Sequence, residues 1–291
     1  MRIIITIYIL ISYVTSTFAQ ISIELSDNSK PFVLGVTDEI QSAILSEKRI
    51  LNIYLPDGFN AKDTTTYPVI YLLDGSADED FIHVVGLVHF NTFSWVDLIP
   101  RSIVVGIANV DRQRDFSFPT TIATDKARYP TTGNSETFIA FIEKELQPFI
   151  ETKYKANSSK TIIGQSLGGL LLTEIVLKHP KLFNKYIIIS PSLWWDNGSL
   201  LDLDSEILQE SFSQETDIYI GVGKEGLAPG DHPHVMEVDA NILADKIQRT
   251  ACKRVRVYFD YLPEETHATI MHQAVMNAFK ILYPKERDHR Y

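Results

Sequence analysis

The stretch IIGQSLGGLLL, residues 162–172, sets a serine at the tip of a glycine-flanked turn. Two isoleucines precede the turn, as at the end of a buried strand, and leucines follow it as at the start of a helix. Gly164, Ser166 and Gly168 fit the pattern Gly-x-Ser-x-Gly. Alone the pattern carries little weight, because it arises by chance in about one chain in ten of this length. Its meaning depends on the elements around it.

Predicted strands and helices alternate along most of the chain. Residues 67–75 and 102–109 are continuous apolar runs, which are typical of strands buried on both faces. Residues 40–55 alternate in polarity, which predicts one or two antiparallel strands. The other predicted strands are 160–165, 185–190, 216–223 and 254–262, the predicted helices are 78–98, 135–154, 167–178, 235–250 and 267–282, and residues 110–134 form a long loop. This alternation predicts an α/β fold with a mostly parallel central sheet flanked by helices.

The composition is that of one globular domain behind an export signal. The chain has 291 residues, 45% of them hydrophobic and 22% charged, which suffices for one large core over residues 20–291. Residues 1–19 carry a positive charge at Arg2, a short apolar run and a small residue, Ala19, at the end. This pattern is typical of a secretory signal peptide cleaved after Ala19. We therefore predict a periplasmic or secreted protein without stable membrane association.

Charge and cysteine content exclude several kinds of partner and site. The 27 Lys and Arg residues against 37 Asp and Glu residues give a formal net charge of -10, which argues against binding to nucleic acid. The single cysteine, Cys252, excludes an intrachain disulfide and a multi-cysteine metal site. His232 and His234 lie near Asp231 and Glu237, but their loose spacing fits a plain loop better than a metal site. We predict no metal and no organic cofactor, and the oligomeric state is left open.

A serine at such a turn can act as a nucleophile. In the α/β-hydrolase fold, the nucleophile lies between a strand and a helix, and the flanking glycines leave room for its strained backbone. The helix start offers the N–H of Leu167 to a developing oxyanion. A second N–H is expected from the loop after the strand at 67–75, where Gly75 and Ser76 are the candidates. A glycine-rich turn with an incidental serine is the alternative.

The serine needs a base, and the base needs an orienting acid, in the chain order serine, acid, histidine. His267 follows the last predicted strand and is the expected base. Glu225 lies two residues beyond the strand at 216–223 and is the first choice for the acid, with Asp196 second and Asp231 third. A histidine on a surface loop with no role in catalysis is the alternative for His267.

Taken in order, these segments resemble the putative-esterase branch of the α/β-hydrolases, which includes esterase D, feruloyl esterases and the esterases that open trilactone siderophores. The similarity spans residues 44–282. It is carried by YPVIYLLDG (67–75), SIVVGIANVDRQRDF (102–116), FIAFIEKELQPFIETKY (138–154), IIGQSLGGLLLTEIVLKHPKLFNKYIIISPSLWWD (162–196), GVGKEG (221–226) and EETHATI (264–270).

The resemblance implies a role for each candidate residue. Ser166 would be the nucleophile, His267 the base and Glu225 the acid. Four more side chains would face the substrate: Arg112, Arg114, Trp194 and Trp195. Two of these roles have alternatives, because the arginines could pair with neighbouring aspartates, and adjacent tryptophans should point different ways, one into the core and one towards the cleft.

The predicted activity is that of a serine carboxylic-ester hydrolase acting through an acyl-enzyme. The substrate is left open between siderophore trilactones and feruloyl or acetyl esters of polysaccharides, so the expected partner is a small-molecule or oligosaccharide ester. An acyltransferase using the same site is the first alternative. A non-catalytic binding protein on this scaffold is the second.

Overall fold

The computed structural model of the protein describes residues 29–250 and 252–284. The predicted signal peptide, residues 1–19, lies outside this range. The helices and strands of the described chain all lie in the compact unit from Leu34 onward. Across residues 29–250 and 252–284, no helix is both long and apolar enough to cross a membrane.

One eight-stranded sheet forms the centre of this unit, with strand order β1-β2-β4-β3-β5-β6-β7-β8. The strands are β1 Val36–Ser42, β2 Glu47–Tyr54, β3 Tyr67–Leu72, β4 Ile103–Ile107, β5 Ala156–Gln165, β6 Lys185–Ile189, β7 Thr216–Gly223 and β8 Val255–Leu262. The first two pairings, β1 with β2 and β2 with β4, are antiparallel. All later pairings are parallel. The prediction of a mostly parallel sheet with antiparallel strands at its start is confirmed.

Helices cover both faces of the sheet. They are α1 Phe81–Asn91, α2 Arg112–Phe116, α3 Ala123–Arg128, α4 Ser135–Phe141, α5 Gln147–Lys153, α6 Leu167–Lys178, α7 Met236–Gln248 and α8 Ile270–Leu282. Successive residues of a strand point to opposite faces, so Val69 and Tyr71 join one core cluster, and Ile70 and Leu72 join the other. The first cluster includes α4, α6 and α7, and the second includes α1 and α8.

Several predicted boundaries are wrong, and local contacts explain them. The predicted helix 78–98 ends at Asn91, because the backbone oxygen of Asn91 accepts hydrogen bonds from the N–H groups of Leu98 and Ile99 as the chain turns back. The predicted loop 110–134 contains α2 and α3, and the Asp111 side chain caps α2. The predicted helix 135–154 is right to within one residue, since the chain is helical from Ser135 to Lys153, with a π-helical turn at Ile142–Leu146 between α4 and α5.

The candidate residues gather at one edge of the sheet. The parallel strands β3, β5, β6, β7 and β8 all end at this edge, and the loops that follow them carry Ser76, Ser166, Ser192, Glu225 and His267. Ligands of open α/β sheets bind outside the carboxyl ends of the strands. The topology therefore brings together residues that are far apart in the chain.

Ser166 holds a backbone conformation that residues with a side chain rarely adopt, with φ 61° and ψ −118°. Three backbone hydrogen bonds fix it. Its N–H donates to Ile189 O at 3.0 Å, and its carbonyl accepts from the N–H groups of Leu170 at 2.9 Å and Ser192 at 3.1 Å. The start of α6 and the loop after β6 thus keep the serine at the tip of the turn.

The glycines around Ser166 differ in how crowded they are. A Cβ on Gly164 would lie 2.9 Å from the carbonyl carbon and oxygen of Gly168. A Cβ on Gly168 would meet nothing closer than 3.5 Å, whereas one on Gly169 would lie 2.9 Å from Ile189 O. The expectation that both motif glycines make room is therefore right for Gly164 and wrong for Gly168. The crowded glycine on the helix side is Gly169, which packs against β6.

Gly164→Ala and Gly169→Ala are each expected to lower the free energy of unfolding by about 1–3 kcal/mol, because the added methyl group overlaps backbone that cannot move aside freely. Gly168→Ala is the matched control and should be neutral or stabilising by up to about 1 kcal/mol, since alanine favours a helix over glycine. Urea unfolding of the three variants measures this. A loss in Gly168→Ala equal to that in Gly169→Ala would contradict the steric explanation.

Candidate active site

Ser166 opens onto two adjoining pockets. One has a volume of about 230 Å³ and is lined by Ser166, His267 and Glu225 together with Leu227 and Met236. The other has a volume of about 210 Å³, and Ser166 shares its wall with the aromatic side chains of Tyr129, Trp194 and Trp195. The structure thus brings the predicted nucleophile, base and acid to one cavity.

His267 and Glu225 form a close pair. Nδ1 of His267 lies 2.6 Å from Oε2 of Glu225, and the Glu225 side chain is 4% exposed against 46% for His267. An ionised carboxylate only accepts hydrogen bonds, so the proton of the neutral imidazole resides on Nδ1. Nε2 is then left with a lone pair, which is the arrangement that a general base requires.

The other two candidate acids have different partners. Asp196 accepts hydrogen bonds from the hydroxyls of Thr120 at 3.0 Å and Thr121 at 2.8 Å. Asp231 lies 3.5 Å from Arg128 on the surface. Of the three carboxylates, it is Glu225 that contacts His267.

The Glu225 carboxylate is held in its charged form. Burial alone would raise the pKa of Glu225, but hydrogen bonds from His267 and Ser190 outweigh this effect and leave the pKa below its ordinary value. The Ser190 hydroxyl and the Gly223 N–H both donate to Oε1, the oxygen that does not face His267. Both carboxylate oxygens therefore have donors.

The hydroxyl of Ser166 has a different neighbour. Its Oγ lies 3.4 Å from Oγ of Ser192. Within the described part of the chain, no hydrogen bond joins Ser166 to His267. Hydrogen bonds between catalytic groups are often long without substrate and shorten in the substrate complex. The side chain of Gln165 donates to the backbone oxygen of His267, which ties the histidine loop to the turn.

The three candidate oxyanion donors differ in their hydrogen bonds. Leu167 is the first residue of α6, and N–H groups of a first helical turn lack a partner within the helix. The Gly75 N–H donates to Ile107 O at 3.0 Å, so it is already bonded to β4. The Ser76 N–H makes a longer contact of 3.3 Å to the side chain of Glu79, which a substrate oxygen could replace. This geometry favours Leu167 and Ser76.

Arg112 lines the second pocket, which contains Tyr129 and Trp194, but its guanidinium forms an ion pair with Asp74. Its Nε lies 2.6 Å and its Nη2 2.9 Å from the two carboxylate oxygens of Asp74. Nη2 also donates to the backbone oxygen of Gln165 at 3.2 Å. Arg112 therefore pairs with an aspartate, as the sequence alternative proposed. The partner is not an aspartate next to it in the chain but Asp74, in the loop after β3. Arg112 joins this loop to the turn that carries Ser166.

Arg114 lies away from both pockets. It binds Asp115 at 2.8 Å and Glu47 at 2.6 Å. Arg49, 1% exposed, binds the same Asp115 at 2.6 Å. These ion pairs fasten α2 to β2, so the contacts of Arg114 are those of a structural residue rather than a substrate-binding one.

The two tryptophans point in different directions. Trp195 is 1% exposed and its indole N–H donates to Phe118 O at 2.9 Å. Trp194 lines both pockets beside Ser166. Tyr129 packs against both rings, with ring centroids 6.2 Å and 6.0 Å away. Trp194 therefore borders both pockets, whereas Trp195 borders only the second and is the more deeply buried of the two.

Sequence reasoning missed several residues that line the two pockets, among them Ser192, Tyr129, Leu227 and Met236. Ser192 and Tyr129 lie beside Ser166, and Leu227 and Met236 form the apolar side of the first pocket. Ser192 lies in the SPSLWW segment, but no motif gives its hydroxyl a role. The other three become pocket residues only through the packing of distant loops.

His234, which the sequence places near His232, Asp231 and Glu237, has hydrogen-bond partners in the fold. Nδ1 of His234 lies 2.8 Å from Asp239, and its Nε2 lies 3.2 Å from Oδ1 of Asn197. Over residues 29–250 and 252–284, no group of three or more His, Cys, Asp or Glu side chains is arranged to hold a metal ion.

Comparison with known proteins places this chain among esterases. A family model described as Putative esterase matches residues 42–260. The ferri-bacillibactin esterase BesA of Bacillus subtilis is 26% identical in an alignment of 272 residues that covers 88% of this chain and 93% of that protein.

Two solved structures agree with this result. An IroE-like serine hydrolase from Shewanella oneidensis has a TM-score of 0.75 and 31% identity, covering 86% of this chain and 80% of that one. The BES protein from Bacillus cereus has a TM-score of 0.75 and 25% identity, covering 90% and 99%. The chain therefore belongs to the putative esterase family, as a carboxylic ester hydrolase with the α/β-hydrolase fold.

Proposed function

We propose that the protein hydrolyses the ester bonds of a siderophore through an acyl-enzyme on Ser166. The observation that carries this proposal is the pocket shared by Ser166, His267 and Glu225, in which the histidine and the glutamate lie 2.6 Å apart. The similarity to a ferri-bacillibactin esterase over 88% of the chain supports the substrate class.

The mechanism follows from the positions of these groups. Nε2 of His267 takes the proton from Ser166 Oγ as this oxygen attacks the ester carbonyl. The N–H groups of Leu167 and Ser76 stabilise the oxyanion. His267 then gives its proton to the leaving alcohol, and the acyl group stays on Ser166. In the second half, His267 activates a water molecule that releases the acid, while Glu225 stabilises the imidazolium in both halves.

The two pockets suit the two sides of an ester. They meet at Ser166, so a carbonyl at the serine can extend its acyl part into one pocket and its alcohol part into the other. Tyr129 and Trp194 offer flat aromatic surfaces, and Leu227 and Met236 offer an aliphatic wall. A substrate fits this division if it carries an aromatic group on one side of the ester and an apolar group on the other. The aromatic group would lie against Tyr129 and Trp194, and the apolar group against Leu227 and Met236.

Export is part of the proposal. Residues 1–19 have the charge, apolar run and small terminal residue of a secretory signal, which supports a periplasmic or secreted location.

Ser166→Ala is expected to lower kcat on a trilactone siderophore by on the order of 10⁴-fold or more, because no nucleophile remains. Release of the linear product, followed by chromatography, measures this, and circular dichroism of the variant controls for folding. Feruloylated sugars and acetylated xylan are assayed alongside, and the trilactone should give the highest kcat/KM. A variant that stays active, or a preference for the polysaccharide esters, would contradict the proposal.

Glu225→Gln is expected to lower the free energy of unfolding at pH 7 by about 2 kcal/mol, since charge-assisted hydrogen bonds are lost. The pKa of Glu225 is lowered by folding, so its stabilisation is complete above the ordinary value of about 4.3 and disappears as the pH falls through the folded-state pKa. The difference between wild type and variant should therefore narrow on acidification from about pH 5 to pH 3. Urea unfolding across this range tests it, and a constant or widening difference would refute the assignment.

Expression in a Gram-negative host with the complete chain tests export. N-terminal sequencing of the periplasmic or secreted protein should begin at Gln20. A chain that stays in the cytoplasm and retains residues 1–19 would rule out the proposed location.

A further inference from the structure

The side chain of Glu237 binds the backbone of the segment that carries Glu225. Glu237 lies in the first turn of α7, and its Oε1 accepts the N–H of Glu225 at 2.8 Å and that of Gly226 at 3.1 Å. Its Oε2 accepts the Gly226 N–H again at 3.0 Å. A carboxylate in the first turn of a helix usually favours its own helix, but here it holds a different segment.

This segment has few other anchors. After β7 the chain leaves the sheet and turns at Gly226, whose φ is +73°. Leu227 and Val235 then form an isolated antiparallel bridge, and the Met236 N–H closes the loop by donating to Gly226 O at 3.0 Å. On the sheet side, the Lys224 N–H donates to Glu265 O at 2.8 Å. Glu225 lies between the hydrogen bond of Lys224 and that of Gly226, and its own N–H donates to Glu237.

The acid is thus fixed at two levels. Ser190 and the Gly223 N–H fix the Glu225 carboxylate, and Glu237 fixes the Glu225 backbone. A shift of the backbone would move the carboxylate away from Nδ1 of His267, which it approaches to 2.6 Å. Displacements of about 1 Å at a reacting group can lower rates by on the order of 100-fold.

We propose that Glu237 is a positioning residue for this esterase, which acts by keeping Glu225 against His267. This inference rests on the proposed function of Ser166, His267 and Glu225. Glu237 is not among the residues that line the two pockets beside Ser166 and makes no hydrogen bond to His267 within the described chain, so its effect passes through Glu225.

Glu237→Ala is expected to lower kcat by on the order of 10- to 100-fold, with a smaller change in KM, on a p-nitrophenyl short-chain ester. Glu237→Gln keeps a carbonyl oxygen in the place of Oε1, which can accept both N–H groups, and loses only the second contact with Gly226, so its kcat should stay within about fivefold of wild type. Asp245→Ala, on the same helix, removes only an exposed ion pair with Arg249 and serves as the control.

A double-mutant cycle separates positioning from a general loss of structure. If Glu237 acts through Glu225, then adding Glu237→Ala to Glu225→Gln should cause little further loss of kcat. A full additional loss in the double variant, or a Glu237→Ala enzyme as active as wild type, would overturn the inference. Thermal unfolding shows whether each variant is folded, and the activity of Glu237→Gln decides the case if Glu237→Ala is not.

The proposed function can fail separately. Residual activity in Ser166→Ala would refute the nucleophile whatever the Glu237 variants do. An inactive Ser166→Ala enzyme together with a fully active Glu237→Ala enzyme would refute only the role of Glu237.

Discussion

The unfavourable backbone conformation of Ser166 is the constraint on which the rest of the site depends. A residue with φ 61° persists only where its surroundings fix it, and here the backbones of β6, the loop after β6 and α6 do so. Gly164 and Gly169 have no side chains because the same close approach leaves no space for a Cβ. Backbone contacts therefore hold Ser166 at the carboxyl end of the sheet without help from a side-chain partner.

Side-chain hydrogen bonds connect the turn of Ser166 to the neighbouring loops. Arg112 binds the carboxylate of Asp74 and the backbone oxygen of Gln165, so it links the loop with the candidate oxyanion donors to the nucleophile turn. On the other side of the serine, Gln165 binds the backbone of His267. Gln165 thus contacts both loops beside Ser166. Its backbone oxygen accepts from Arg112, and its side chain donates to the backbone of His267. A movement of the turn would be felt at the base and at the oxyanion site together.

The sequence was sufficient to predict what depends on neighbouring residues or on chain order. The strand, turn and helix around Ser166 are local, and the order serine, acid, histidine singled out Glu225 and His267, which the fold brings into contact. It was insufficient where a partner lies far away in the chain: Arg114 pairs with its neighbour Asp115, as the sequence alternative allowed, but its second partner, Glu47, precedes it by 67 positions. Gly169 lies outside the motif, and only its contact with β6 shows that it is crowded.

The pair of Glu225 and His267 also divides burial in a way that suits its chemistry. The acid is 4% exposed, and a charge removed from water is screened little by salt, so its attraction to an imidazolium is stronger than on the surface. Such a charge is tolerated only when its oxygens have donors, which Ser190, Gly223 and His267 supply. The base is 46% exposed and stays open to the pocket. The carboxylate can therefore remain ionised beneath the histidine, as the proposed proton transfer through His267 requires.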